Sequence, residues 1–187
     1  MSPSTVRRAL AFLIATSVGA GGTAAADPVA ALASRRVRVV ERHLGALLQE
    51  GLRLSATLRA LVTRLERSDL VVYVMCDGRS VPRIDGRLTL MGSTPGARYV
   101  MVRIRELDDA RRMLAIVGHE LQHAVEIADT PAIADADSMA REFLRIGYSS
   151  RPVPSGPSFE TRAAVAMGLQ VWRELQAADA AAFDDEE

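Results

Sequence analysis

No lysine and no asparagine occur in this chain of 187 residues, and all 23 basic side chains are arginine. Such a skew reflects the coding bias of a GC-rich genome rather than any chemistry. Neither sign of charge is in excess, since 23 acids balance the arginines. That balance removes the electrostatic case for a nucleic-acid partner or an anionic membrane surface. The one cysteine, Cys76, excludes an intramolecular disulfide, so stability has to come from the core. There is no internal repeat. The apolar run near the start, residues 9–19, is too short and too rich in Gly and Ala for a comfortable membrane span. What remains is the composition of a soluble globular protein, with 49% hydrophobic residues and length for one domain.

The first 26 residues read as an export signal. Arg7 and Arg8 form a basic start, the apolar segment follows, and Ala24-Ala25-Ala26 supplies small residues before a cut at Asp27. Cleavage would leave residues 27–187 as one domain, exported to the periplasm or secreted, with no membrane attachment. That segment keeps every acid and loses two arginines, for a net charge of −2. The plainer reading of the same residues is an uncleaved anchor or a tail.

The rest of the chain divides by its periodicity. A helical region comes first: Leu44, Leu47 and Leu48 share a face, and Gly51 stands near the end. Ser55 is placed to cap a second helix carrying Leu58, Leu61, Val62 and Leu65. Residues 70–76 form a β-rich run stopped by Asp77-Gly78, and residues 86–91 and 99–105 are two further strands with a turn over 92–96. Asp108 or Asp109 caps a helix to about residue 128. Another helix covers 134–146 and is closed by Gly147. The Pro-rich segment 151–158 is a loop, and Ser158 caps a last helix to about residue 175. The terminal Asp184-Asp185-Glu186-Glu187 reads as a frayed, disordered acidic tail.

The chemistry concentrates in His119-Glu120-Leu121-Gln122-His123. Only three histidines occur in the chain, and two of them stand at i and i+4 around a glutamate. On a helix this spacing puts both imidazoles on one side, where they can converge on one Zn2+ at about 2.0–2.1 Å each. Zinc lowers the pKa of a bound water to about 7, and Glu120, on the flank, is the general base. At 100° per residue Leu114, Val117, Leu121, Ala124, Val125 and Ala128 share the opposite face, so the helix is expected to be buried on one side and to present its histidines on the other. A solvated polar face that happens to spell the motif is the bland alternative. Catalytic zinc takes three protein ligands and keeps one open position.

Residues 99–105 followed by Gly118-His119-Glu120-Leu121-Gln122-His123-Ala124 resemble the zincin superfamily of metallopeptidases. The wider run is also similar to a family of small bacterial H-E-L-Q-H-A proteins of unassigned activity. That likeness draws on the Ser-Asp-hydrophobic strand near 68–74, on residues 118–127, on Arg145-Ile146-Gly147, and on Phe159-Glu160-Thr161 with Ala163-Ala164 and Gly168. In the gluzincin branch the third ligand is a Glu on a later helix, which by position implies Glu160, in the first turn of the last helix. The plainer role for Glu160 is to favour that helix's N-terminus electrostatically. Metzincin spacing would point instead to Asp129, though Glu126 stands where that family needs Gly. Glu126 is either a partner that orients an imidazole or a surface residue. Asp137 and His43 are weaker rivals as ligands. The resemblance further implies a strand beside the active helix to which a peptide adds edge-on, here 99–105, and an oxyanion donor, Tyr148 or Tyr99.

The expectation is therefore an α+β, zincin-like domain: two N-terminal helices, a small antiparallel or mixed three-stranded sheet, the H-E-x-x-H helix and further helices. Its expected activity is zinc-dependent hydrolysis of a peptide or protein substrate, with His119, His123 and Glu160 on the metal. The alternative is an exported binding or structural module whose zinc site is structural or inactive.

Overall fold

Strict alternation along residues 97–105 makes a one-sided strand, with Arg98, Val100, Val102 and Ile104 buried and the residues between them half-buried. The computed structural model describes residues 34–77, 85–150 and 158–184. In order these are β1 (Val37–Val39), α1 (Arg42–Leu54), α2 (Ala56–Glu66), β2 (Leu70–Asp77), β3 (Gly86–Thr94), β4 (Ala97–Arg105), α3 (Ala110–Ala128), α4 (Ala136–Ile146), β5 (Tyr148–Ser149), β6 (Phe159–Glu160) and α5 (Arg162–Asp184). The signal-peptide reading of residues 1–26, most of the Pro-rich loop and the last three acidic residues lie outside the described part. Among the described residues no helix is long and apolar enough to cross a membrane.

Among the described residues the fold is mixed α+β, with five helices and a mixed sheet in the order β1-β2-β4-β3. Two corrections to the sequence reading follow. The main sheet has four strands, not three: β1 lies parallel to β2 where a helical region was expected. Three residues are too few to show a strand period, and Val37 is buried where β1 pairs with β2 and packs under α1 and α2. The other correction concerns residues 99–105. They belong to β4, which is paired with β2 on one side and β3 on the other, so both its ladders are used. The edge strand next to β4 is β3, antiparallel to it. The β3–β4 turn is tighter than expected, at Pro95-Gly96, with Gly96 at φ 87° as the third position of such a turn requires.

α3 is the central element. Asp109 caps it by accepting from Arg112 N. Met113, Leu114, Val117, Leu121, Ala124, Val125 and Ile127 are buried, and so are Glu120 and His123. The polar face therefore does not look onto open solvent; other elements roof it. The C-terminal end of α3 is held by Arg98, which reaches across from β4. Its guanidinium donates to the carbonyls of Ile127 (2.9 Å), Ala128 (3.3 Å), Thr130 (2.9 Å) and Ile133 (3.1 Å) and pairs with both carboxylate oxygens of Asp69 at 2.8 Å. The Arg98 hydrogen bonds hold the Asp69 carboxyl below its ordinary range.

α5 packs along α3, and Gly168 leaves room for it: a Cβ there would stand 3.1 Å from Ala115 O and 3.2 Å from His119 Cβ. Glu174 fixes α5 against the start of α2 by accepting from Ser55 Oγ (2.6 Å), Thr57 N (3.1 Å) and Thr57 Oγ1 (2.7 Å). Ser55 caps α2 as expected. The last helix begins later than expected and runs farther. Ser158 is not its cap; Thr161 is, with its hydroxyl accepting from Ala164 N at 3.0 Å. The residues between form β6, paired antiparallel with β5.

Candidate metal centre

His119 and His123 lie one turn apart on α3, their rings 4.9 Å apart and edge to face. β6 brings Glu160 to them. Glu160 Oε1 is 3.3 Å from His119 Nε2 and 3.3 Å from His123 Nε2. Among the described residues this is the one group of three whose potential ligand atoms all lie within 4.8 Å of one another. Glu160 is not in the first turn of α5, as the sequence reading had it, but on β6 two residues before the helix begins. Pairing of Tyr148-Ser149 with Phe159-Glu160 extends the chain there and aims the carboxylate back at α3.

The donor set fits zinc. Two atoms bound to one tetrahedral ion at 2.0–2.1 Å are about 3.3–3.4 Å apart, which matches both Glu160–His separations. Two neutral imidazoles and one carboxylate leave one position of four open, as in catalytic rather than structural sites.

The surroundings tune these groups. Burial alone would lower the His123 pKa, but hydrogen bonds to Glu126 and Glu160 outweigh it and raise it to about 9. Burial alone would raise Glu160, yet the hydrogen bonds from His119 and His123 bring it down to about 2. Glu120 is 5% exposed, and desolvation pushes its carboxyl above the ordinary range. Its space is made by Gly86 at the start of β3: a Cβ there would lie 2.6 Å from Glu120 Oε1 and 2.5 Å from Ile116 Cγ2.

The other candidates separate. Glu126 Oε2 lies 2.8 Å from His123 Nδ1 and its Oε1 accepts from Thr161 Oγ1 at 2.6 Å, so it is placed to orient an imidazole and is no surface residue. Asp129 is turned to Arg64 on α2 at 2.6 Å and is not brought to the imidazoles. Asp137 is likewise outside the group, and His43 sits by Cys76 Sγ (3.5 Å) and Glu106 (3.7 Å). Tyr148 is 48% exposed and is not among the residues lining the cavity described below. Its backbone pairs opposite Glu160, so the two side chains share a face of the ribbon. Tyr99, on β4, also lies outside that lining.

A cavity of about 280 Å³ opens over His119, Glu120, His123 and Glu160. Its walls are Gly86 to Leu90 of β3, Ala136, Met139, Ala140 and Phe143 of α4, and Ser158 and Phe159. The Phe143 ring lies 5.3 Å from that of His123 and 6.3 Å from that of Phe159. Sequence reasoning did not single out Gly86, Phe143 or the β3 wall, and it named Thr161 only within the Phe159-Glu160-Thr161 likeness, with no role. No local pattern marks them, because each matters through a contact between distant parts of the chain.

No protein-family model matches the chain, and neither a curated protein nor a solved structure matches it.

Proposed function

We propose that this protein is a zinc-dependent peptidase of the zincin kind, exported and acting on a peptide or protein segment. The observation that carries the reading is the convergence of His119, His123 and Glu160 at zinc spacing, beside a buried Glu120, on one wall of a cavity. Zinc held by those three side chains would supply Lewis acidity, polarising a carbonyl and lowering the pKa of water to about 7.

The protein's own groups do the rest. Glu120 takes a proton from a water in the cleft and delivers it to the leaving nitrogen; its raised pKa brings it nearer to the neutral range where a general base works best. Glu126 fixes the ring of His123. Tyr148, on the same ribbon face as Glu160, is the candidate donor to the oxyanion. The edge strand β3 runs along the cavity and offers backbone groups for an extended substrate, the role first expected of residues 99–105. Leu88, Leu90, Met139, Phe143 and Phe159 make the adjoining wall apolar, which suits a large apolar side chain beside the scissile bond.

The test is a peptide library offered to the zinc-loaded protein. Cleavage next to large apolar residues, abolished by a chelator and by Glu120→Gln, is expected. Stoichiometric zinc with no cleavage of any peptide would replace the peptidase with the binding or structural module.

A further inference from the structure

We infer that Thr161 is a positioning residue that locks the two halves of the ligand set together, resting on the zinc reading above. His119 and His123 come from α3 and Glu160 from β6, 37 residues beyond His123 in the chain. Thr161, 2% exposed, touches both halves. Its backbone N–H donates to Glu160 Oε1 at 2.9 Å. Its hydroxyl donates to Glu126 Oε1 at 2.6 Å, and Glu126 Oε2 lies 2.8 Å from His123 Nδ1.

The direction of this chain is set at its far end. The Ala164 amide can only donate, and it donates to Thr161 Oγ1 at 3.0 Å. The hydroxyl has one proton, so that proton goes to Glu126. An ionised carboxylate accepts at both oxygens, so His123 must donate from Nδ1. That leaves His123 Nε2, the nitrogen facing Glu160, with its lone pair free for a metal. Thr161 thus caps α5 and selects the tautomer of His123 through its hydroxyl, and steadies Glu160 through its backbone N–H.

A helix cap alone needs only an acceptor, which Ser, Thr, Asp or Asn supplies equally well. The contact with Glu126 needs a donor as well. Zinc affinity, measured by competition with a chromogenic chelator, separates the two roles for wild type, Thr161→Ser, Thr161→Val, Glu126→Gln and the Val/Gln double variant. Melting of the metal-free proteins is followed in parallel. Thr161→Val and Glu126→Gln are expected to weaken zinc binding by about 10–100-fold, Thr161→Ser to stay near wild type, and the double variant to lose no more than the worse single. Full-strength binding by Thr161→Val, or losses that multiply in the double variant, overturns the inference and leaves Thr161 a cap.

Should Thr161→Val fail to fold, Glu126→Gln and Thr161→Ser still decide it, since the first must weaken binding and the second must not. The hydrogen-bond chain is also read without metal, from the ¹⁵N shifts of His123 in the metal-free protein above pH 9, where the ring is neutral. A neutral ring protonated on Nδ1 supports the inference and one protonated on Nε2 overturns it. A wild-type protein that binds no zinc while His123 keeps its Nδ1 proton defeats the zinc reading and not the positioning.

Discussion

At its C-terminal end α3 is gripped by Arg98; one to two turns earlier it carries His119 and His123. Both clusters are polar and are anchored by one buried side chain, Arg98 in the first and His123 in the second, and they are built differently. The Arg98 guanidinium meets four carbonyls and both oxygens of Asp69 at 2.8–3.3 Å, so every group has a near partner and nothing is left to bind. In the histidine cluster two imidazole nitrogens share one carboxylate oxygen, each at 3.3 Å, and the cavity opens beside them. A closed network serves the fold. Donor atoms spaced as around an ion, with an open side, are what the proposed chemistry needs.

Breaking each cluster should therefore have different consequences. The largest effect is expected from Glu120→Gln, which leaves the three ligands intact and removes the base. Peptide hydrolysis should fall by about 10²–10⁴-fold with zinc content unchanged. Equal loss of zinc and activity would mean that Glu120 holds the site together instead. Next comes Arg98→Ala, which strips the partner from Asp69 and leaves the carbonyls at the end of α3 unsatisfied. The Arg98 side chain is 6% exposed but that of Asp69 is 43% exposed, so the cost is that of the carbonyls left unpaired, about 1–3 kcal/mol, read from denaturant unfolding. A loss below about 1 kcal/mol would show that the clamp behaves like a surface ion pair.

The histidine cluster also makes a pH prediction around neutrality, where the Arg98 cluster, whose Asp69 is held below its ordinary range, makes one only in acid. In metal-free protein the proton on His123 is held up to about 9, above the ordinary 6.5, and Glu160 stays ionised down to about 2, below the ordinary 4.5. The His123 contribution to stability is complete below pH 6.5 and disappears as the pH rises through 9. That of Glu160 is complete above pH 4.5 and disappears as the pH falls through 2. Together they stabilise the metal-free protein most between pH 4.5 and 6.5. Zinc must displace the His123 proton, so apparent zinc affinity should climb with pH and flatten above 9. A titration series with an affinity flat from pH 6.5 to 9 would contradict this. The smallest effect belongs to Asp129→Asn. Its exposed pair with Arg64 is worth about 0–1 kcal/mol, and zinc stoichiometry should not change. Loss of zinc in that variant would move the third ligand from Glu160 to Asp129.

The contrast between the clusters also explains what could be read in advance. His119, Glu120 and His123 were legible because their relation is local: four residues of helix fix it. Glu160 was reached through a resemblance; the structure brings it to the two imidazoles, but from β6 and not from the last helix, since two residues of strand carry no period. Arg98 was invisible as a clamp because an alternating strand with arginine at one end looks the same whether that arginine is in water or under a helix. The order β1-β2-β4-β3 was beyond reach for the same reason. It depends on which strands find each other, and β3 and β4 read alike in sequence although only β3 stands at the edge.

Zinc stoichiometry of the purified protein tests the central claim most directly. Wild type, Asp129→Asn and Glu120→Gln should each hold one zinc per chain, and His119→Ala and Glu160→Gln should hold much less under the same dialysis. Wild-type protein without stoichiometric zinc, or Glu160→Gln protein that retains it fully, would contradict the account.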